Sequence, residues 1–154
     1  MNFIKSKKHY IFAWAVAVLV TTILAVFFQT QNIIARLNKL GGDIQLSDRL
    51  SMTLYDMFHL GSAYGIFIAI ALAIAFCAGG VVFKVAKFGR KLIYFCAGMC
   101  AIFVMLFLMK NVFFGIDLIA GARDMMGLGL QMFAGAIGGL IFARVSKKNK
   151  IESS

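Results

Sequence analysis

The chain has 154 residues, of which 62% are apolar and 14% charged, and its net charge is +10. A soluble domain carries about 25% charged residues, and a soluble core of this size cannot hide so much apolar surface, so lipid must cover part of it. The positive charge would point to nucleic acid in a soluble chain. Here it falls between apolar blocks, where it serves topology and contact with anionic lipid headgroups, and no nucleic-acid partner is expected.

A membrane span needs about 20 apolar residues, because the hydrocarbon layer is about 30 Å thick and a helix rises about 1.5 Å per residue. Four stretches meet this, at about 10–28, 61–83, 92–109 and 125–143. Each must be helical, since a helix pairs its own amides where water is absent. The first begins after a basic arm, but its apolar run is long and no small-residue cleavage site precedes Gln29, so it reads as a retained span. The expected fold is an all-α membrane protein, a four-transmembrane-helix bundle with a cap of short amphipathic helices on its outer side, forming one integral membrane domain over residues 1–154.

Between the first two spans lies a long segment, 29–60. Ile33, Ile34, Leu37 and Leu40 repeat at helical spacing before Gly41 and Gly42, which predicts a short helix lying on the leaflet. Ser47 is then placed to cap a helix running through Leu50, Leu54 and Met57 into the second span. A short basic loop, 84–91, joins spans two and three. The segment 110–124 is apolar but too short to cross, and reads as an interfacial turn rather than a re-entrant piece. A basic tail, 144–154, ends the chain.

Lysine and arginine near the span ends set orientation. Lys5, Lys7 and Lys8, then Lys84, Lys87, Arg90 and Lys91, then Arg144, Lys147, Lys148 and Lys150 share one side, eleven in all; Arg36, Lys39, Arg49, Lys110 and Arg123, five, share the other. This predicts a multi-pass protein of the cell (inner) membrane with both termini cytoplasmic. Of the six acids only Glu152 falls on the basic side.

Little chemistry is written into the spans. Cys77, Cys96 and Cys100 all lie within spans with no Cys-x-x-Cys, so each reads as a small apolar residue. His9 and His59 stand at opposite ends of their spans, and the tail holds the one glutamate, which disfavours haem and carboxylate-bridged di-iron centres. No phosphate loop, nucleophile elbow or His-Glu-x-x-His occurs. No catalytic residue, cofactor or metal is therefore expected.

Two constellations remain. On span four, Gly127, Gln131, Gly135 and Gly139 recur every fourth residue, with Gly138 beside them. Small residues at this spacing let another helix approach closely, within this bundle or from a second copy or partner subunit. On the outer side, Arg49 and Asp56 share one helical stripe, His59 follows a turn later, and Arg123 and Asp124 precede span four. These five are the candidates for a ligand or lipid-headgroup site, against a plain reading as solvated ion pairs, often worth under about 1 kcal/mol. The leading functional expectation is a non-enzymatic subunit or self-associating membrane protein, a homo-oligomer or part of a larger assembly. The alternative is a small oligomeric channel or transporter, including a holin-like pore former. The third is a membrane enzyme acting on headgroups at the outer face.

Overall fold

The computed structural model describes residues 2–41, 45–86, 89–112 and 124–152. They form four helices: α1 Asn2–Lys39, α2 Leu46–Ala86, α3 Arg90–Val112 and α4 Met125–Glu152. All four are long and apolar enough to cross a membrane. The helices close a ring in which α1 packs on α2, α2 on α3, α3 on α4 and α4 back on α1.

Two boundaries differ from expectation. Residues 33–39 are not a separate helix on the leaflet but the last turns of an unbroken α1. No proline or glycine interrupts the chain between the span and Lys39, and Arg36 there pairs with Asp124 at the start of α4. The helix stops where Gly41 adopts a φ of 93°, a left-handed conformation that costs glycine no Cβ clash. α2 starts slightly earlier than the Ser47 cap predicts, because the Arg49 amide donates to the Gln45 carbonyl at 3.1 Å. With 41 residues, α2 is about 60 Å long, roughly twice the hydrocarbon thickness. The segment 113–123, where the interfacial turn was expected, lies outside the described residues.

At the basic end the interior is aromatic. Phe76 of α2 stacks on Phe142 of α4 with centroids 4.3 Å apart, and the Tyr94 ring of α3 meets both edge-on. Ile68, Leu72 and Ile102 are fully buried beside them. In a bilayer such packing, rather than removal of apolar surface from water, holds helices together.

Where α4 meets α3 the two backbones nearly touch. A Cβ on Gly98 would collide with the Gly135 carbonyl, one on Gly135 with the Gly98 carbonyl, and one on Gly139 with the Tyr94 carbonyl. On the other flank, Gly138 lies against the Thr21 hydroxyl of α1. The glycines of α4 thus serve two neighbours within the same chain.

Candidate functional site

The sequence-predicted polar residues fall into separate groups, organised by α1. Asp124 caps α4: its backbone carbonyl accepts from Leu128 N at 2.9 Å, and its Oδ1 accepts from Gly127 N at 3.1 Å. Capping by a carboxylate satisfies an orphan amide and opposes the helix dipole. The same oxygen accepts from Asn32 Nδ2 and from Arg36 Nη2, both at 3.0 Å. Asn32 and Arg36 are one turn apart on α1, so the last turns of that helix pin the start of α4.

Asp56 belongs to a different contact. Its Oδ2 accepts from Thr30 Oγ1 at 2.8 Å, a hydroxyl that also lies 3.0 Å from the Val26 carbonyl. His59 stacks on Tyr55, centroids 4.1 Å apart, and its Nδ1 lies 3.2 Å from the Tyr55 carbonyl. Arg49 offers its carbonyl to the Thr53 hydroxyl at 2.7 Å. Arg123 lies outside the described residues. Asp56 and Asp124 therefore engage different residues of α1, and no described contact joins them.

The Asp124 carboxyl titrates at about 2, below the ordinary carboxylate range, held down by the Asn32 amide, the Arg36 guanidinium and the Gly127 amide. A carboxyl whose folded pKa is depressed stabilises the fold above its unfolded pKa, near 4, and loses that contribution as pH falls through the folded value. The melting temperature in detergent is expected to drop between pH 4 and pH 2 more steeply for the native chain than for Asp124→Asn. Parallel pH profiles would refute this coupling. The effect is modest because Arg36 and Asp124 are 38% and 40% exposed.

Deeper in the bundle, Gln131 is buried. Its Oε1 accepts from the Tyr64 hydroxyl at 3.1 Å, and its Nε2 donates to the Ala25 carbonyl at 2.9 Å. That carbonyl lies within helical α1 and has a second lone pair to offer. One amide thus ties α4 to both α1 and α2. Along the same seam, the Thr21 hydroxyl and Gln29 Oε1 are buried without a hydrogen-bond partner among the described residues.

On the opposite side, α2 and α3 enclose an open trough of about 910 Å³. It extends from the level of Phe67 to that of Ala86 on α2, about 28 Å at helical rise, close to the hydrocarbon thickness. Its lining includes Ala71, Ala75 and Gly79 on α2 and Ala97 and Ala101 on α3, with Cys96 and Cys100 among its walls. The three cysteines are exposed on the outside of the bundle. Among the described residues no group of three His, Cys, Asp or Glu is placed to hold a metal.

Sequence reasoning missed the partners rather than the groups. Gln29, Asn32 and Arg36 recur at three- and four-residue spacing, a polar stripe that could have been read as facing another helix. Gly98 carried no signal, being a lone glycine in its span. Comparison of the chain with protein-family models, curated proteins and solved structures finds no match. The fold and composition therefore define the class directly, as a multi-pass membrane protein.

Proposed function

We propose that this chain is a non-enzymatic protein of the cell (inner) membrane, both termini cytoplasmic, that works by lateral association with further copies or as a subunit of a larger assembly. The observation that carries the reading is the trough between α2 and α3. It is as long as a membrane span, and Ala71, Ala75 and Gly79 line it at four-residue spacing, the pattern that lets a helix approach closely. Gly135, Gly138 and Gly139 of α4 are already engaged within the bundle, whereas this face stays open between α2 and α3.

The alternative of a small oligomeric channel or transporter would need several copies, because aromatic packing fills the interior at the basic end. Headgroup chemistry at the Asp56 or Asp124 carboxylate ranks third, since both already accept hydrogen bonds within the chain.

Cross-linking in native membranes tests the reading. A short thiol-reactive cross-linker acting at the trough cysteines Cys96 and Cys100 is expected to give a discrete species, either twice the chain mass or the chain plus one partner, and changing both to serine should remove it. Leu19→Cys introduced into that variant, on the exposed side of α1, should not restore it. A monomer under all conditions would overturn association through this face. For orientation, a cytoplasm-dependent reporter should be active when fused after Ser154 and silent at Gly41.

A further inference from the structure

We infer that the half of the α2/α3 trough nearest the α2–α3 turn is a binding site for an anionic phospholipid, with acyl chains along the trough and the phosphate at the basic rim. The apolar half of the argument is shape. Between the turn and mid-bundle the trough is lined by Ala78, Gly79, Val82, Leu92, Cys96 and Ala97. One leaflet of hydrocarbon is about 15 Å deep, about ten residues of helix, which is the stretch from Leu92 to Ala101. The short side chains of Ala78 and Ala97 along it leave room that methylene groups can fill.

The polar half is charge. The trough reaches Ala86, Gly89 and Leu92 at its mouth, and Lys84, Arg90 and Lys91 adjoin that mouth in the chain. Eleven cations and only Glu152 among the acids belong to the termini and loop at this end, so the sequence supplies almost no counter-charge. Arg90 is the most constrained of these cations. Its guanidinium lies 5.7 Å from the ring centroids of both Phe83 and Tyr94 and donates through Nη2 to Ser146 Oγ at 2.6 Å. Among the described residues its buried Nε has no hydrogen-bond partner. The cation is thus held by two rings and a neutral hydroxyl beside an apolar trough. A phosphate suits it, because a guanidinium offers paired donors in a fixed plane, and the first turn of α3 adds its dipole at the same place.

The inference concerns the same face as the proposed association but holds for a single copy. The test is native mass spectrometry of the intact chain, released from vesicles of equimolar phosphatidylglycerol and phosphatidylcholine with identical acyl chains, reading lipid retained on the monomer. Phosphatidylglycerol should be retained in preference. Lys91→Gln should lower its retention about fivefold, and Arg90→Gln with Lys91→Gln about thirtyfold, at roughly one phosphate contact per cation. Ala78→Phe, at an exposed position on the trough wall, should displace the lipid while leaving the melting temperature unchanged. Equal retention of the two lipids would overturn the proposal. So would retention unaffected by Ala78→Phe, which would mean adsorption to the basic face alone. Cross-linked assemblies without lipid preference would leave the association standing and this inference refuted.

Discussion

Gly135→Leu is expected to destroy the folded monomer rather than change its assembly. A side chain at that position points at the Gly98 carbonyl and lies within 2.5 Å of Ile102 Cγ1. Gly139→Leu meets the Tyr94 carbonyl in the same way. Overpacking a core typically costs about 1–3 kcal/mol when neighbouring side chains can turn aside. Here the obstacle is backbone on both helices, which has no rotamer to change, so the cost falls at or above the upper end of that range. Solubilised protein should lose its monodisperse peak and melt many degrees lower. Gly129→Ala is the control: a Cβ there has nothing within 4 Å, and alanine favours helix over glycine by about 1 kcal/mol. A Gly135→Leu chain that stayed folded and merely became smaller would transfer the stripe to an intermolecular face.

The second large effect is expected at Gln131. Leucine there approximates the volume but removes both the bond from the Tyr64 hydroxyl and the bond to the Ala25 carbonyl. Hydrogen bonds between membrane helices average about 0.6 kcal/mol and reach about 1.7, and a stranded buried donor adds about 1–3 kcal/mol. Gln131→Leu should therefore cost about 2–3 kcal/mol. Tyr64→Phe should cost less, since Gln131 keeps its bond to α1. In the double variant the stranded hydroxyl is gone, so the two effects should sum to more than the combined loss. Unfolding of all four proteins in one detergent measures this. Strict additivity would mean the Tyr64–Gln131 contact contributes nothing.

The four helices were legible because twenty apolar residues in a row have few other fates. Their neighbours were not. In a bilayer the lipid-facing and core-facing sides of a helix are both apolar, so periodicity does not mark the inner face. The stripe Gly127, Gln131, Gly135 and Gly139 could be read as an approach surface, but whether the approaching helix was α1, α3 or another copy depends on packing that no local pattern encodes. The polar cluster was harder still. Asp56 and Asp124 could be identified as carboxylates near the same leaflet, while their partners Thr30, Asn32 and Arg36 lay in a stretch expected to rest on the membrane surface. That expectation treated polarity as a sign that the helix had ended. In the fold those polar groups are what α1 uses to hold its neighbours.

The closing of α4 against α1 has a consequence for how the protein is made. The ring joins α1 to α4 across most of this sequence, with Ala25 and Gln131 separated by 106 residues. While α1, α2 and α3 emerge and enter the bilayer, the Tyr64 hydroxyl lacks the amide it donates to, and a hydroxyl without a partner in an apolar medium costs about 2 kcal/mol or more. A nascent chain stopped short of α4 therefore exposes this group, together with the bare flank of α3 around Gly98. Such a chain differs from one that holds α4 in the polar and backbone surface it presents within the bilayer. Docking of α4 and completion of this polar seam therefore coincide.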